Sequence, residues 1–217
     1  MVSAAMYSLY SGSSWAGPLH LAPLEDPAPM PFTSHKSISF LFLSGDWMNN
    51  VNVSAMLAFV ESAKKDAAQA RKTKKVAGSW AFGEGTPQFS ASVEFANGKA
   101  TLVADSPPFL GGHGQAPDPL QYCLFGLAAC YASTFTAIAT EKGLTLSKLA
   151  VTAENQLNLS KTIGLSNEPI VEEVRLVLSV SGKASRQQLE EINREAGERC
   201  PGAYCLRNPI RLVAVVQ

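Results

Sequence analysis

The fold is decided by residues 118–143, DPLQYCLFGLAACYASTFTAIATEKG, a long run dominated by apolar and small side chains. Asp118 followed by Pro119 indicates a helix start, because an Asp side chain caps the first turn and proline fits the first helical position. Lys142 and Gly143 supply the cation and the left-handed glycine with which helices commonly end. Apolar residues occur on every side of this helix, which predicts that protein encloses it all round.

A membrane span is the alternative interpretation of this run, since a helix of this length reaches about 30 Å and could cross a bilayer. Its aromatic residues lie in the middle of the run and not at two interfaces, and the sequence offers no second span to pair with. Polar residues also dilute its hydrophobicity. We therefore expect a central buried helix and no membrane association. The polar residues are Gln121, Ser133, Thr134, Thr136 and Thr140.

Composition narrows the classes of function. The 217 residues are 46% hydrophobic, enough for one domain with a core, or one domain plus an appendage. Lysine and arginine (18) balance aspartate and glutamate (18), so no net charge attracts nucleic acid or an anionic membrane. Four cysteines are too few for a disulfide scaffold, and no convincing secretory signal is present. These features predict a protein of the reducing cytoplasm.

The amino-terminal part of the chain divides into two segments. Residues 1–47 have scattered Pro, Ser and Gly and no sustained period, so we expect an irregular leader, and one hypothesis is that translation begins at Met48. Residues 48–75 then form an amino-terminal helix and linker. The helix is predicted over 54–72 with Ser54 as its cap, and the basic residues that follow suit a helix carboxyl end better than a binding patch.

Residues 76–217 form the predicted main domain. Three antiparallel strands are expected at 76–82, 89–95 and 99–103, with a hairpin turn at 96–98. The glycine-rich loop at 109–114 lacks the spacing and the Lys-Ser/Thr of a phosphate-binding loop, so we interpret it as structural.

After the long helix, strands are predicted at 148–159 and 170–181, followed by an amphipathic helix at 185–199. Cys200, Pro201 and Gly202 should end that helix, because proline cannot continue it. A terminal strand is expected at 210–216. The order αβββαββαβ predicts an α+β fold with antiparallel sheets around the long central helix.

Two motifs carry a resemblance to a known family. The segment LGGHGQAPDPLQYCLFGLAAC, residues 110–130, is followed by a Cys-Pro pair at the end of the amphipathic helix. Together they resemble the OsmC/Ohr superfamily, and the resemblance covers 76–217. The segment MNNVNVSAMLAFVESAKKD, residues 48–66, is similar to the amino-terminal helix of one branch of OsmC-like proteins.

The resemblance implies an intertwined homodimer with a pocket near the subunit interface. It also implies thiol peroxidase activity against organic hydroperoxides and a role in oxidative stress, with an external dithiol as reductant and with no metal or other cofactor. By motif, Cys130 would be the peroxidatic cysteine, whose thiolate attacks the peroxide, and Cys200 the resolving one. Apolar walls would suit a fatty or aromatic peroxide. The implied substrate-binding residues are Tyr122, Phe125, Phe109, Gln121 and His113.

The sequence departs from the family pattern in the groups that activate the thiolate. Family peroxidases hold an arginine with a carboxylate in the first turn of the long helix, where this chain has Leu120 and Gln121. The early loop offers Glu84, and no arginine lies in 76–130. A buried thiol without a nearby cation should have a raised pKa. Two other functions therefore stay open: a non-enzymatic protein that binds a small apolar ligand, and a thiol switch that senses oxidants.

Each cysteine also has a purely structural interpretation, because buried cysteine commonly packs as a small hydrophobe. Cys123 lies about 10 Å from Cys130 along the helix, too far for a disulfide, and is expected in the core. Cys205 is a candidate third thiol near the site, although a structural role is favoured. A zinc site would need all four cysteines to converge, and no pair has C-x-x-C spacing, so no metal is expected.

Overall fold

The computed structural model describes residues 47–216, and these form an α+β structure with antiparallel sheets. The predicted irregular leader, residues 1–47, lies outside the described residues except for Trp47, and the hypothesis of a start at Met48 stays a prediction. The seven strands are β1 (Trp47–Met48), β2 (Val51–Asn52), β3 (Ala77–Trp80), β4 (Phe89–Phe95), β5 (Gly98–Ala104), β6 (Leu146–Leu157) and β7 (Val171–Gly182). The four helices are α1 (Val53–Lys65), α2 (Pro119–Glu141), α3 (Arg186–Arg199) and α4 (Pro201–Arg207).

The long helix α2 begins and ends where the sequence predicts. The Asp118 side chain accepts a hydrogen bond from the Leu120 backbone N–H at 2.7 Å, and the Gln121 side chain accepts one from the Asp118 N–H at 2.9 Å. Gly143 follows the helix with a φ of 68°, a left-handed conformation that glycine adopts at no steric cost. Local capping chemistry therefore fixes both ends of α2.

The prediction that α2 is enclosed on every side is wrong for the single chain. Its second half is buried, but its first half exposes Gln121, Cys123, Phe125 and Gly126, because no element of the described chain covers that face. Among the described helices, α2 is long and apolar enough to span a membrane, with 33% of its most apolar window buried. Its second half packs against β6 and α3 as a core helix does.

The first helix is shorter than predicted. Its cap is Asn52, whose side chain accepts a hydrogen bond from the Ala55 N–H at 2.8 Å, and not Ser54. The helix ends at Lys65 because Asp66 is extended and its carboxylate caps the next turn, through the Ala68 N–H at 2.9 Å. The basic residues beyond 70 therefore do not lie at the end of α1, but they follow a short 3-10 helix, Ala67–Ala70, whose C-cap is Arg71.

The three predicted strands form one antiparallel sheet in the order β3-β4-β5. The predicted hairpin connects β4 to β5. The loop after β5 folds back tightly, since a Cβ on Gly112 would lie only 1.8 Å from the Ser106 carbonyl oxygen. Only glycine fits that position, which agrees with a structural role for the glycine-rich loop.

The core lies between α2, α3 and the β6-β7 hairpin. Phe135 and Ile138 on α2 meet Ile192 on α3, and all three are at most 1% exposed. Ser185 and Gln188 cap α3 reciprocally. The apolar faces of β6 and β7 cover this cluster.

The carboxyl-terminal prediction is wrong in two ways. Pro201 ends α3 but also begins α4, because proline is well suited to a first helical position. Residues 210–216 form no strand, since no backbone in the described chain pairs with them, and Leu212 and Val216 are more than nine-tenths exposed. Alternating apolar residues show a preference for strand but do not supply a partner strand.

A side chain near the start of the described chain anchors the β1-β2 hairpin to the main domain. Asn49 donates through Nδ2 to Thr140 Oγ1 at 3.0 Å and to the Leu144 carbonyl at 2.9 Å, and its Oδ1 accepts from the Leu146 N–H at 2.8 Å. Asn49 and Asn50 form the hairpin turn with φ values of 52° and 61°, which asparagine tolerates well. The hairpin is thereby attached to the loop that follows α2.

Candidate active site around Cys130 and Cys200

Cys130 and Cys200 come together although 70 residues separate them in sequence. Cys130 lies in the middle of α2, and Cys200 lies at the junction of α3 and α4. The Cys200 thiol donates a weak hydrogen bond to Cys130, with 3.5 Å between the two Sγ atoms. Both are free thiols. A disulfide bond is about 2.05 Å long, so a small side-chain movement would join the two sulfurs.

The two sulfurs differ in exposure. Cys200 is 0% exposed and packs in the core cluster with Ala196 and Ile192. Cys130 is half-buried and packs against the edge of that cluster. A small reactant from solvent can therefore reach Cys130 more easily than Cys200.

The pKa of the Cys130 thiol is raised, as the sequence predicts for a buried thiol. Burial is the largest cause, and the neighbouring Cys200 and Cys205 raise the pKa further. The backbone N–H of Gly202 opposes them by donating to the sulfur, which favours the thiolate. Among residues 47–216, none of the groups that act on this pKa is a cation. The site therefore holds the Cys130 thiol mainly protonated at neutral pH.

Because Gly202 has no side chain, α4 can approach Cys130 closely. A Cβ at Gly202 would lie 3.5 Å from the Cys130 Cβ and 3.7 Å from its sulfur, with Leu127 closer still at 3.3 Å. A larger side chain would push α4 away from Cys130 and displace the Gly202 N–H. Sequence analysis interpreted this glycine only as part of a helix stop, because its contact with α2 depends on the tertiary fold.

A groove of about 580 Å³ is lined by sequence neighbours of the two cysteines, although neither Cys130 nor Cys200 lines it. Its lining includes the helix neighbours of Cys130, Leu127 and Tyr131, together with Gly197 and Ala203 near Cys200. Glu172, Glu173 and Arg207 give the groove a polar side. Tyr131 fixes one wall, because its hydroxyl lies 2.9 Å from both the carbonyl and the side-chain oxygen of Asn193.

The five residues expected to bind substrate lie outside this groove. Tyr122 donates its hydroxyl to the Val103 carbonyl at 2.7 Å, and Gln121 is engaged in capping α2. Phe109 and Phe125 are 73% and 71% exposed. His113 is exposed, and its backbone N–H donates to Asp105 at 3.2 Å. None of these five residues lines the groove, and their role in substrate binding stays a prediction.

The comparisons with known proteins agree with the resemblance seen in the sequence. Residues 112–214 match the family model described as OsmC-like protein. These residues belong to the OsmC-like family. The OsmC-like region contains both Cys130 and Cys200. No curated protein matches the chain significantly.

Several solved structures are similar to this chain. An organic hydroperoxide resistance protein OsmC from Legionella pneumophila is 23% identical, with a TM-score of 0.48 over 63% of this chain and 92% of that one. An OsmC-like protein from Mycoplasma pneumoniae is 24% identical, with a TM-score of 0.47 over 63% and 89%. An organic hydroperoxide resistance protein from Elizabethkingia anophelis is 18% identical, with a TM-score of 0.47 over 63% and 91%.

The other two cysteines of the OsmC-like region are exposed. The prediction that Cys123 belongs to the core is wrong, because it lies on the uncovered first half of α2. Cys205 lies on α4, one helical turn beyond Gly202. Within residues 47–216, no group of three or more His, Cys, Asp or Glu side chains is arranged to hold a metal ion.

One buried acid, just before the OsmC-like region, was missed by sequence reasoning. Asp105 is 1% exposed, and its Oδ2 accepts hydrogen bonds from the backbone N–H groups of His113 and Gln115, at 3.2 and 2.9 Å. It thereby holds the glycine-rich loop that leads into α2. The hydrogen bond from Gln115 is the largest cause that lowers the pKa of Asp105, against the opposing effect of burial. An acid directly after a strand and before Ser-Pro-Pro gives no local signal of this role.

Proposed function

We propose that this protein is a thiol-dependent reductase of organic hydroperoxides, in which Cys130 attacks the peroxide and Cys200 resolves the product. The observation that carries the proposal is the 3.5 Å distance between the sulfur of a half-buried cysteine and that of a fully buried one. Membership of residues 112–214 in the OsmC-like family supports it. The proposal includes a role in protection against oxidative stress.

The chemistry needs only the two thiols and two external reactants. The Cys130 thiolate attacks one peroxide oxygen, the O–O bond breaks, and the alcohol leaves with a proton, so that Cys130 becomes a sulfenic acid. The Cys200 thiol then attacks the Cys130 sulfur, forming the disulfide and releasing water. An external dithiol reduces this disulfide by thiol exchange and is itself oxidised.

The surroundings of the sulfurs favour a substrate with an apolar body. The adjacent groove has the volume of a small-molecule site, which is commonly about 300 to 1,000 Å³. Leu127, Ala203 and Leu206 would contact an alkyl or aryl group, while Arg207 could meet a polar end. A role in substrate binding would require a second subunit that covers the residues implied by the resemblance. These are Phe109, Phe125, Tyr122, Gln121 and His113.

A homodimer is proposed as the functional form. The first half of α2 and the carboxyl-terminal segment expose apolar side chains that one chain leaves uncovered, including Phe125, Leu212 and Val216. Contiguous exposed apolar surface commonly marks an interaction site. Analytical ultracentrifugation of the purified protein should give twice the chain mass of 23.1 kDa. A mass of one chain at micromolar concentration would contradict the dimer.

We also propose that the protein acts in a reducing cytoplasm, which would keep both thiols free.

The deciding experiment measures consumption of cumene hydroperoxide with a dithiol reductant. Wild-type protein is compared with Cys130→Ser, Cys200→Ser and the matched control Cys123→Ser, which changes an exposed cysteine on the same helix. We expect turnover in the wild type and the control, and none above background in Cys130→Ser. Equal consumption by the wild type and Cys130→Ser would refute the proposal.

A thiol switch is the second candidate, and the raised pKa of Cys130 favours it. Without a cation among the groups that act on this thiol, the thiolate fraction at neutral pH is low and reaction with peroxide should be slow. A switch would form one Cys130–Cys200 disulfide per chain without sustained turnover. The same experiment distinguishes the two functions through the ratio of peroxide consumed to protein.

A further inference from the structure

A third thiol lies on α4, the helix that approaches Cys130. Besides the Cys130–Cys200 pair, α4 carries Cys205, which is exposed. Gly202 faces Cys130, with its Cβ position 3.7 Å from the sulfur. Residues three apart lie on the same side of a helix, with Cβ atoms about 5 to 6 Å apart. Cys205 therefore continues the face of α4 that Gly202 turns toward Cys130.

The electrostatics of the site agree with this placement. Burial is the main cause of the raised pKa of Cys130, but a charge on Cys205 raises it further, as a charge on Cys200 does. This effect decreases with the distance between two charges, so it agrees with a Cys205 that lies near Cys130. Cys123, on the same helix as Cys130, is not among the groups with this effect.

Because Cys200 is buried, an external dithiol has poor access to a Cys130–Cys200 disulfide, and a third, exposed thiol would improve that access. In a Cys130–Cys200 disulfide, one sulfur belongs to a residue that is 0% exposed, so an external dithiol can approach only the half-buried Cys130 sulfur. Cys205 is exposed and lies on the same short helix that Cys200 precedes.

We propose that Cys205 takes over the disulfide from Cys200 and presents it to the external reductant, an inference that rests on the proposed redox function of Cys130. The Cys205 thiolate attacks the Cys130 sulfur, the Cys130–Cys205 bond forms, and the Cys130–Cys200 bond breaks. Cys200 leaves as a thiolate and takes up the proton that Cys205 released, so the exchange needs no further oxidant. A direct Cys200–Cys205 bond is disfavoured, since five residues advance about 7.5 Å along a helix and cysteines more than about 7 Å apart are not bridged without backbone movement.

Disulfide mapping after two oxidants tests the exchange. Wild-type protein, Cys205→Ser and the control Cys123→Ser are oxidised with one equivalent of cumene hydroperoxide or with diamide, which joins thiols without peroxide chemistry. Remaining thiols are blocked in acid, and the tryptic peptides are sequenced by mass spectrometry. Cys200 and Cys205 share the peptide 200–207, so fragmentation must locate the sulfur that joins Cys130.

We expect both Cys130–Cys200 and Cys130–Cys205 linkages in the wild type and in Cys123→Ser. Cys205→Ser should form only the first linkage, and dithiothreitol should reduce it several-fold more slowly than the wild-type disulfide. A wild type that forms Cys130–Cys200 alone, with the reduction rate of Cys205→Ser, overturns the role of Cys205 and leaves the proposed function intact. Exchange after diamide without any reaction with peroxide would support the relay and overturn the peroxidase.

Discussion

Arg199 holds Glu141 through two parallel hydrogen bonds, from Nη1 to Oε2 at 2.7 Å and from Nη2 to Oε1 at 2.8 Å. The pair joins the last residue of α3 to the last residue of α2. Cys200 follows Arg199 directly, so the clamp acts one residue away from the buried sulfur. The fork geometry of arginine suits this role, because it fixes orientation as well as distance.

The stability that this clamp contributes should be modest. The side chains are 47% and 31% exposed, and ion pairs with such access to water contribute about 0.2 to 1 kcal/mol. A double-mutant cycle with Arg199→Gln and Glu141→Gln should give a coupling energy near the upper end of that range, decreasing in 1 M salt. The exposed pair Arg194 and Glu198, at 3.4 Å, is the matched control and should give less. Equal coupling in both pairs would contradict a special role for the clamp.

Substitution of Asn49 should destabilise the main domain. Asn49→Ala removes three hydrogen bonds to Thr140, Leu144 and Leu146, and places alanine at a φ of 52°. We expect a loss of about 2 to 4 kcal/mol in the free energy of unfolding, measured in urea. Asn50→Ala is the control, since Asn50 is exposed and has a similar φ of 61°. Equal losses would show that backbone strain, and not the hydrogen bonds, dominates.

The raised pKa of Cys130 predicts a particular pH dependence. Alkylation of Cys130 by iodoacetamide should accelerate with pH and have its midpoint above that of an ordinary thiol, about 8.5. Cys200→Ser should lower the midpoint, because it removes one of the groups that raise this pKa, although burial remains. A midpoint below pH 8 in the wild type would contradict this account and indicate a cation at the thiolate.

The same shift affects stability with a defined sign. A thiol with a raised pKa in the folded protein binds its proton more tightly when folded than when unfolded. Its contribution is therefore present below the unfolded pKa and is lost as the pH rises through the folded value. Above about pH 8.5, the ordinary thiol pKa, the wild type should therefore lose stability relative to Cys130→Ser.

Asp105 should contribute stability with the opposite dependence on pH. Its pKa is lowered, mainly by the hydrogen bond from the Gln115 N–H, so its contribution is present above the unfolded pKa of about 3.9 and is lost as the pH falls through the folded value. Asp105→Asn should therefore be less stable than the wild type at pH 7, and the difference should shrink on acidification. Glu84→Gln, which changes an acid in an exposed loop, is the control. A constant difference for Asp105→Asn would contradict the assignment.

The sequence predicted those parts of the fold whose signals are local. The ends of α2 were correct because Asp118, Pro119 and Gly143 act on neighbouring backbone. The predicted end of α1 was wrong, because the sequence pattern did not reveal that Asp66 stops the helix and caps the following turn. The strand at 210–216 was wrong because a strand depends on a partner backbone that the residues themselves do not reveal.

The site was predictable only in part. The resemblance indicated Cys130 and Cys200 as a pair, and the fold brings their sulfurs together. The roles of Gly202 and Asp105 depend on contacts across 72 and about 10 residues, which no spacing rule in the sequence encodes. The substrate residues implied by the resemblance do not line the groove near the cysteines, and their role stays a prediction.

Asn49 also constrains the order in which the chain assembles. Its partners lie 91 to 97 residues further along, and a contact across so long a loop carries a large entropic cost until α2 and β6 are in place. The β1-β2 hairpin should therefore dock late in folding. Under force applied from the amino terminus, these hydrogen bonds should be among the first to break, before the core around Phe135 and Ile192 opens.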